Sequence, residues 1–556
     1  MTKVRIVKIT KQTTILIIIL LTAAFLRFYQ LGSNPPSLTW DEVAWGYNAY
    51  SLGLDGKDEF GKFLPYTHIE SFGDFKPPLY AYLSMLPVKL FGMTEFATRF
   101  ISALFGTLTV LITYFLTKEL FRNKTEDVRY TSYIPLVASF LMAIMPWHVM
   151  LSRAAFEANL ATFLIVTGVW LFLLGIHRYS WFLILSILSF SLSLYTFNSA
   201  RIVTPLLLLV LAITFWKKLF AKKAMVAVTV VLGLAIVLPL VPSLLSPQAK
   251  VRFDEVNIFS DLDIIETSNQ EIANDDGAWW SSILHNRRVA YGVEFLDHYF
   301  DNLSPQFLFI SGDGNAKFSI QSMGQLYLWQ LPFLLIGLFL LVRKKDGLWW
   351  FIPLWILIAI IPAGIARETP HALRIEAAVV PFSIIIAYGI VQSVLLLKGS
   401  MFKIPLRGLL LGSISVSALF ALVFFVTDLL VYYPKQFSHE WQYGYKEAVG
   451  YLSQVEDEYD MIAFSQVLGR PYIYMLFYTQ YPPQEFRDKA DISRDIFGFV
   501  TIKSIGKYYS GKELLPATEG KRVLYFDKEK DMPPGAKIQK KFYRLDGKVA
   551  LVAFTL

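Results

Sequence analysis

Residues 38–79 of the chain read LTWDEVAWGYNAYSLGLDGKDEFGKFLPYTHIESFGDFKPPL. This polar segment follows the first hydrophobic run. It opens with two adjacent carboxylates, Asp41 and Glu42, beside Trp40, and it closes with Lys76 directly before two prolines. In a chain that is otherwise rich in apolar residues, one short loop therefore carries an acidic pair and a cation close to a hydrophobic segment.

The composition around this segment excludes a soluble globular protein. Of the 556 residues, 54% are hydrophobic, 16% aromatic and 17% charged, and the mean hydropathy is +0.45. Too few polar residues remain to cover a soluble surface, so the sequence predicts a polytopic α-helical membrane protein. The formal net charge is +8, but the basic residues cluster between hydrophobic runs, which indicates membrane topology rather than nucleic-acid binding. The absence of cysteine excludes disulfides, thiolate metal sites and cysteine nucleophiles.

Eleven apolar segments are candidate membrane spans, because a spanning helix needs about 20 apolar residues. They lie near residues 13–30, 97–117, 133–149, 158–176, 181–197, 203–216, 224–242, 324–342, 348–364, 375–397 and 407–431. The first follows a basic N-terminus (Lys3, Arg5, Lys8 and Lys11). No small-residue cleavage site follows it, so we interpret it as a retained helix and not as a signal peptide.

The basic residues alternate between the two sides of these segments. One set of loops carries Lys118, Arg122, Lys124, Arg129, Arg178, Lys217, Lys218, Lys222, Lys223, Arg343, Lys344, Lys345, Lys398, Lys403 and Arg407. The other short loops carry only Arg153, Arg201, Arg367 and Arg374. The positive-inside rule then places the first set in the cytoplasm. It predicts a cell-membrane protein with the first loop (31–92), the large loop (243–323) and the C-terminus outside the cytoplasm.

The sequence divides into two predicted domains. Residues 1–431 form the transmembrane domain, and residues 432–556 have the composition of a small α/β domain outside the cytoplasm. The predicted strands of that domain are 461–464, 523–526 and 549–554, and its predicted helices are 441–454 and 471–479. Two further helices are expected in the loops of the first domain, one at the membrane interface over 77–91 and one with an apolar face formed by Val289, Val293, Leu296 and Phe300.

The chemistry of the first loop has two interpretations. Adjacent carboxylates at a membrane face can take a proton from a hydroxyl group or hold a divalent cation. The alternative is that Asp41 only caps a helix over residues 43–51, although the flanking Trp40 and Trp45 favour a functional role. Lys76 is either a ligand of a phosphate group or a lysine that reaches towards lipid headgroups.

Further ionisable residues lie at the ends of predicted spans on the same side. Arg153 and Glu157 are four residues apart, so a continuous helix would bring them together as a functional or simply interfacial ion pair. Arg201 has no acidic neighbour in sequence, which suits an anionic ligand. His371 and Arg374 are one helical turn apart and could bind a phosphate from the side opposite Lys76, although a single histidine is more often structural.

These residues together resemble a known superfamily. The chain is similar to the GT-C membrane glycosyltransferases, in particular to the branch of the protein O-mannosyltransferases and the lipid A aminoarabinose transferase, including its bacterial members. The resemblance rests on Trp40-Asp41-Glu42, on Lys76-Pro77-Pro78-Leu79, on Glu157 after Ser152-Arg153, and on the stretches at 309–315 (FISGDGN) and 370–374 (PHALR).

The resemblance implies the GT-C fold and an inverting sugar transfer. A monosaccharide would move from a polyprenyl-phosphate-linked donor to a lipid, glycan or protein acceptor on the outer face of the membrane. Asp41 carries over as the base or acceptor-positioning acid, and Glu42 and Glu157 complete the predicted catalytic set. Lys76 carries over as a ligand of the donor phosphate. The other predicted phosphate ligands are Arg153, Arg201, His371 and Arg374.

One position departs from the pattern of the branch. Aminoarabinose transferases have an arginine three residues after the aspartate, where this chain has Ala44, so Arg201 or Arg374 would have to supply that charge. No cofactor is expected. Some GT-C relatives use a divalent metal ion, but this branch generally does not, so no metal site is predicted and the question of a cation is left open.

Two other functions are compatible with the sequence. A transporter or flippase of lipid-linked sugars also has many spans with charged residues. However, the chain shows no paired halves with interrupted helices, and its acidic pair lies in a loop instead of in the middle of a span. A catalytically inactive member that scaffolds a cell-surface assembly is the third interpretation.

Overall fold

A computed structural model describes residues 10–122, 132–397, 400–401, 404–495, 500–511, 515–516 and 518–556. Among the basic residues used for the topology, Lys3, Arg5, Lys8, Lys124, Arg129, Lys398 and Lys403 lie outside the described residues. In chain order the α-helices are α1 (Lys11–Phe28), α2 (Trp40–Asp55), α3 (Leu79–Phe91), α4 (Glu95–Leu120), α5 (Ile134–Ile144), α6 (Pro146–Arg153), α7 (Glu157–His177), α8 (Phe182–Leu194), α9 (Ala200–Thr214), α10 (Trp216–Phe220), α11 (Lys223–Val237), α12 (Val241–Leu244), α13 (Pro247–Val256), α14 (Leu262–Asn274), α15 (Ser281–Leu284), α16 (Arg287–Asp301), α17 (Leu331–Lys344), α18 (Phe351–Gly364), α19 (Val379–Leu396), α20 (Leu406–Thr427), α21 (Tyr433–Gln436), α22 (Tyr445–Val455), α23 (Pro471–Tyr478) and α24 (Pro483–Lys489).

Each of the eleven predicted apolar segments contains a helix. Within the described part of the chain, 6 helices are long and apolar enough to cross a membrane, or up to 7 if the pair α5 and α6, bent by 53°, is one span. The helices α8, α9, α17 and α18 have only 13, 15, 14 and 14 residues. The polytopic helical membrane domain is thus confirmed, while the number of eleven spans stays a prediction.

Three of these segments differ in detail from the prediction. The segment at 133–149 bends at Pro146, which begins a new helix. The segment at 324–342 becomes α-helical only at Leu331, after a 3-10 turn at Leu328–Gln330, and its first residues pair with an earlier turn: the Leu326 N–H donates to the Leu308 carbonyl at 2.7 Å. The last span continues through a π-helical turn over 428–432 and reaches Gln436, so the predicted domain boundary at residue 431 falls inside a helix.

The described basic loops meet at one end of the bundle. Arg122 and Arg178 both donate to the carboxylate of Glu119, at 3.1 and 3.3 Å. The Leu348 N–H donates to the carbonyl of Leu120 at 3.2 Å. Loops from three different positions in the sequence therefore share this end, as the predicted alternation of basic residues requires.

The C-terminal domain contains a seven-stranded sheet. The chain has the strands β1 (Ile69–Ser71), β2 (Asp74–Lys76), β3 (Ser400–Met401), β4 (Ile404–Pro405), β5 (Met461–Phe464), β6 (Ala490–Arg494), β7 (Val500–Ile505), β8 (Tyr508–Ser510), β9 (Val523–Asp527), β10 (Lys537–Tyr543) and β11 (Val549–Thr555). The sheet has the order β10-β11-β9-β5-β8-β7-β6, and the central β5 is parallel to both of its neighbours. The three predicted strands and both predicted helices of this domain are confirmed, with ends shifted by a few residues.

The C-terminal domain packs on the first loop, at the end of the bundle away from the basic loops. The Tyr474 hydroxyl, on α23, donates to the Leu38 carbonyl at 3.0 Å. The Val500 N–H, on β7, donates to the carbonyl of Phe72 at 3.3 Å. Side chains of α2 and α23 share one hydrophobic cluster. The start of α2 is therefore held between the helical bundle and the C-terminal domain.

The two helices predicted in the loops are present. Helix α3 begins at Leu79, directly after the proline pair. Helix α16 carries the predicted apolar face, whose members are exposed: Val289 by 43%, Val293 by 60%, Leu296 by 51% and Phe300 by 60%. An exposed apolar face of this kind is typical of a helix that lies on a membrane surface.

Candidate active site

The acidic pair lies in the first turn of α2. Thr39 is the N-cap: its hydroxyl accepts from the Glu42 N–H at 3.3 Å, and the Glu42 carboxylate accepts from the Thr39 N–H at 3.0 Å. This reciprocal capping box satisfies two N–H groups at the helix start. The alternative interpretation of Asp41 as the N-cap is therefore wrong, because Thr39 is the N-cap residue of α2.

Glu42 is fully buried and paired with Arg99 of α4. The Arg99 guanidinium donates to both Glu42 carboxylate oxygens, at 2.8 and 3.1 Å, and neither side chain is exposed. It also donates to the carbonyl of Pro35 at 2.7 Å, and the Ala155 N–H donates to Glu42 at 2.9 Å. This network joins the loop before α2 to two membrane helices, and it leaves no oxygen of Glu42 for a substrate.

Lys76 ends a short hairpin that reaches the C-terminal domain. Strands β1 and β2 are joined by Phe72 and Gly73, whose φ angles are +60° and +81°. Positive φ at both central positions is the geometry of a tight hairpin turn. Lys76 follows as the last residue of β2, and the next residues, Pro77 and Pro78, begin the path into α3. The hairpin thus fixes the lysine relative to the bundle.

Asp41 and Lys76 form a direct ion pair. The side chain of Lys76 is 8% exposed, whereas that of Asp41 is 49% exposed. The Lys76 ammonium also lies 5.3 Å from the ring centroid of Trp45 and 5.1 Å from that of Phe72. Burial opposes the charge of Lys76, but the carboxylates of Asp41 and its neighbours outweigh burial and raise the lysine's pKa. Lys76 is therefore a charged lysine in an aromatic enclosure.

Two further carboxylates act on the same lysine. The charges of Asp74, on β2, and Glu157, the first residue of α7, both raise the pKa of Lys76. The three predicted chemical groups Asp41, Lys76 and Glu157 therefore gather in one place, and Asp74 joins them. The sequence prediction did not include Asp74, although it lies only two residues before Lys76.

The predicted pair of Arg153 and Glu157 is wrong. Helix α6 ends at Arg153 and α7 begins at Glu157, so no continuous helix brings the two side chains together. Arg153 is 1% exposed and donates to the carbonyls of Leu26, Tyr29 and Asn34 at 2.7, 2.9 and 2.7 Å. These bonds hold the end of α1, so the structure places Arg153 in a structural role and out of reach of a phosphate.

Arg201 lies beyond the proline pair. Its guanidinium donates to the carbonyl of Leu194 at 3.2 Å. The neighbouring carbonyl of Tyr195 accepts from the Leu79 N–H at 3.1 Å, which joins this region to the start of α3. Burial, then the charge of Lys62 and then that of Arg201, lowers the pKa of His68 to about 4, so Arg201 lies near this imidazole. Its position is thus beside the first loop and next to the path that follows Lys76.

His371 and Arg374 lie in a loop on the other side of the site. Burial, followed by the charge of Arg374, lowers the pKa of His371 well below its ordinary value. The Arg374 guanidinium donates to the carbonyl of Glu368 at 3.2 Å. The ring of Phe318 lies 5.0 Å from His371 and 5.4 Å from Phe156, the residue before Glu157. Phe318 therefore separates this loop from Glu157.

Two cations that the sequence prediction missed lie on aromatic rings that neighbour Asp41 or Lys76. The ammonium of Lys317 is 5.6 Å from the ring centroid of Trp40. The guanidinium of Arg470, in the C-terminal domain, is 5.3 Å from the centroid of Phe72. The glycine-rich turn at 312–315 marked the neighbourhood of Lys317, but no sequence signal pointed to Arg470.

The chain was then compared with known proteins. Residues 75–242 match the family model of the dolichyl-phosphate-mannose-protein mannosyltransferases. This range is less than half of the chain; it includes Lys76, Glu157 and Arg201 and begins after Asp41. None of the curated proteins matches the chain.

Solved structures share the architecture over nearly the whole chain. Two crystal structures of ArnT from Cupriavidus metallidurans, in the apo state and bound to undecaprenyl phosphate, give TM-scores of 0.55 and 0.54 at 12% and 11% identity, and each match covers 98% of both chains. The chain has the GT-C fold. The apo oligosaccharyltransferase of Archaeoglobus fulgidus gives a TM-score of 0.50 at 14% identity, covering 84% of this chain and 64% of that one.

The expected GT-C fold and the resemblance to its mannosyltransferase and aminoarabinose transferase branch are thus confirmed. The multi-pass membrane domain and the C-terminal sheet domain both belong to this shared architecture. The partial family match and the fold together support a glycosyltransferase of the GT-C type.

A wide groove opens beside the site in this GT-C fold. It has a volume of about 560 Å³ and is lined mostly by apolar and aromatic residues: Leu64, Tyr66, Pro78, Leu79, Tyr82, Leu192, Tyr195, Ala235, Ile236 and Pro239. The groove is not lined by the predicted phosphate ligands Lys76, Arg201 and Arg374. Pro78 connects the groove to Lys76 two residues earlier.

In the described part of the chain, no group of three or more His, Asp and Glu side chains has the arrangement of a metal site. The expectation that the protein needs neither a metal nor another cofactor stays a prediction.

Proposed function

We propose that the chain is an inverting glycosyltransferase of the cell membrane. It moves a monosaccharide from a polyprenyl-phosphate-linked donor to a lipid, glycan or protein acceptor on the extracytoplasmic face. The observation that carries the proposal is the ion pair between the half-exposed Asp41 and the buried Lys76, held on one loop at the end of a GT-C bundle. A base and a phosphate ligand are the two groups that such a transfer needs.

The apolar groove suits the lipid part of the donor. Its lining is mostly hydrocarbon and aromatic, and it begins at Pro78, two residues after Lys76. A polyprenyl chain in the groove would bring its phosphate towards the lysine. The solved ArnT complex with undecaprenyl phosphate supports a lipid phosphate as the ligand of this fold.

Lys76 stabilises the leaving group. When the acceptor oxygen attacks the anomeric carbon, the bond to the phosphate oxygen breaks and its electron pair stays on the phosphate. A fixed cation in a site with little water lowers the energy of that developing charge. The lysine ammonium has three N–H donors, of which Asp41 uses one, so phosphate oxygens can be bound at the others.

Asp41 takes the proton of the acceptor. Its side chain is 49% exposed, so an acceptor can reach the carboxylate. In the structure this carboxylate contacts Lys76 directly. Donor binding then weakens the pair: the phosphate oxygens share the ammonium with Asp41, and the carboxylate turns to the acceptor.

The position of the site favours a transferase over a transporter. The cluster of Asp41, Lys76 and Glu157 lies at one end of the bundle, beneath the C-terminal domain, and not midway along the spans. Alternating-access transporters place their binding sites near the middle of the membrane. The gathering of the basic loops at the opposite end supports an extracytoplasmic site through the positive-inside rule.

A direct assay tests the proposal. The purified protein in lipid nanodiscs is incubated with a panel of polyprenyl-phosphate sugars and with lipid, glycan and peptide acceptors, and the release of polyprenyl phosphate is measured. We expect release from at least one donor and its loss in Asp41→Asn. Transport of an intact lipid-linked sugar across vesicles, without release of polyprenyl phosphate, would support the flippase instead.

A further inference from the structure

The charge around Lys76 is unfavourable for a phosphate on its own. Asp41, Asp74 and Glu157 act on this single ammonium. Because Asp41 already pairs with Lys76, an incoming phosphate would compete with a carboxylate for this one ammonium. Like charges close together in a site of low dielectric repel strongly. Additional cations must therefore come from elsewhere in the fold if this site binds a lipid phosphate.

Two such cations lie on aromatic rings beside the ion pair of Lys76 and Asp41. The Arg470 guanidinium and the Lys76 ammonium lie 5.3 and 5.1 Å from the centroid of the one Phe72 ring. The Lys317 ammonium lies 5.6 Å from Trp40, the residue before Asp41. Gly469, next to Arg470, packs so closely on Trp40 that a Cβ on this glycine would be 2.8 Å from the indole. Trp40 is thus contacted from both the large loop and the C-terminal domain.

Both cations are partly exposed and lack a compensating acid. Among the residues that the structure describes, neither Lys317 nor Arg470 has a carboxylate within the distance of an ion pair. A cation that has no carboxylate partner and lies on an aromatic ring beside acidic residues can bind an anion. Together the two would add positive charge beside the ion pair of Lys76 and Asp41.

The elements that carry these cations are held firmly. In the large loop, the Asp313 carboxylate accepts from the Ala372 N–H at 2.7 Å and from the Asn315 N–H at 2.8 Å, and the Asn315 side chain accepts from the Lys317 N–H at 3.0 Å. Arg470 is the N-cap residue of α23, with a positive φ of 34°. A non-glycine residue held at positive φ is a strained arrangement that often marks a functional site.

We propose that Lys317 and Arg470 are binding residues for the phosphate group of the substrate, so that the C-terminal domain forms part of the active site. The inference rests on the proposed function and deepens it. The phosphate is that of the polyprenyl donor, which Lys76 contacts from one side while the two partly exposed cations contact it from the mouth of the site. Without the C-terminal domain the site would lack one of its three cations.

The experiment measures binding of undecaprenyl phosphate to the full-length protein in nanodiscs, with undecaprenol and inorganic phosphate as separate probes. Arg470→Gln and Lys317→Gln should each weaken binding of undecaprenyl phosphate about tenfold or more, since each removes a charge-assisted contact. Binding of undecaprenol, which has the tail but no phosphate, should not change. Arg470→Lys should retain most of the affinity. If inorganic phosphate competes and loses affinity in the same variants, the headgroup alone is recognised.

Two matched controls separate phosphate binding from general effects. Lys540, on β10 of the C-terminal domain, lies 4.7 Å from the Tyr451 ring. Lys217, at the end of the bundle with the basic loops, lies 5.7 Å from the Trp216 ring. Lys540→Gln and Lys217→Gln should bind undecaprenyl phosphate like the wild type. Wild-type affinity in both site variants, or an equal loss of undecaprenol binding, would overturn the inference.

The transfer assay, run in parallel, distinguishes two failures. If the wild type releases polyprenyl phosphate and the site variants bind undecaprenyl phosphate normally, only the role of Lys317 and Arg470 is wrong. If the wild type neither releases polyprenyl phosphate nor binds undecaprenyl phosphate, the proposed function itself is wrong.

Discussion

Asp41 and Glu42 are neighbours in sequence and have opposite environments. Glu42 is fully buried and paired with Arg99, and its oxygens are occupied by four N–H donors from the loop, α4 and the chain before α7. Asp41 is half exposed and has a single cation, Lys76. Successive residues on a helix point in directions about 100° apart, so one carboxylate enters the core while the other faces the site.

The difference assigns separate tasks to the two acids. A carboxylate with every lone pair engaged in a buried network stabilises the fold, and breaking that network leaves a charge without compensation. A half-exposed carboxylate that pairs with one lysine can move and exchange a proton. The sequence prediction placed both in the catalytic set; the structure favours Asp41 for chemistry and Glu42 for anchoring the start of α2.

The largest effect is expected for Asp41→Asn. This substitution keeps the shape and removes the base, which should lower the rate of sugar transfer by about 10²–10⁴-fold. The thermal midpoint of unfolding should stay close to that of the wild type, because Asp41 is not part of the buried network. Undecaprenyl phosphate should bind at least as tightly as to the wild type, because the charged carboxylate no longer competes for Lys76. Near-wild-type transfer in Asp41→Asn, together with its loss in Glu157→Gln, would identify Glu157 as the base instead.

Glu42→Gln should show the opposite pattern. Glutamine preserves the capping box with Thr39 but leaves the Arg99 guanidinium without a carboxylate, which for a buried pair costs about 3–5 kcal/mol of stability. We expect a lower thermal midpoint and a poor yield of folded protein, measured in detergent beside Asp41→Asn. A Glu42→Gln protein that is as stable as the wild type but inactive would show that Glu42 takes part in the reaction.

Lys76→Ala should have a smaller effect, on binding. Losing one charge-assisted contact to the donor phosphate should cost about 1.5–3 kcal/mol of binding free energy. The exposed Lys89, at the end of α3, provides a control, since Lys89→Ala removes an interfacial lysine away from Asp41. Titration of undecaprenyl phosphate into both variants checks this, and unchanged affinity in Lys76→Ala would refute its role as a phosphate ligand.

Local patterns in the sequence predicted the elements but not the partners of their charged residues. The apolar segments, α3, α16 and three strands followed from composition and periodicity. The capping box was also readable, as Thr39 followed three residues later by Glu42. By contrast, Arg153 and Arg201 look alike in sequence, at span ends with few acids nearby. Only the fold shows that the carbonyls of α1 and its following turn occupy Arg153.

The remaining features depend on contacts between distant parts of the chain. Phe72 and Arg470 meet because the tip of a hairpin enters the C-terminal domain, and no periodicity of either segment encodes that meeting. The same holds for Lys317 and Trp40. The complete set of charges at the site was therefore beyond prediction from a single sequence, although Asp41 and Lys76 were found from the first loop alone.

The carboxyl group of Glu59 has a third kind of environment, and this environment leads to the last prediction. It is fully buried between α2, the hairpin and α23, where Asn48, Ser71 and the Tyr472 hydroxyl donate to it at 2.8, 3.0 and 2.8 Å. Unlike Glu42, it has only neutral donors around it in the described structure. Burial therefore dominates and raises the pKa of Glu59 to about 8.

The raised pKa predicts a stability that falls as pH increases. In the unfolded chain Glu59 loses its proton near its ordinary pKa, about 4.3, whereas in the folded protein it keeps the proton up to about pH 8. Between these values the folded state binds the extra proton, so each rise of one pH unit removes up to about 1.4 kcal/mol of stability.

Glu59→Gln cannot ionise and should lose this dependence. Thermal midpoints measured from pH 5 to pH 8 should fall more steeply for the wild type than for Glu59→Gln, while Glu485→Gln, at an exposed position of α24, should follow the wild type. Parallel slopes for all three proteins would mean that Glu59 is ionised in the folded state, and that the contact between the first loop and the C-terminal domain tolerates a buried charge.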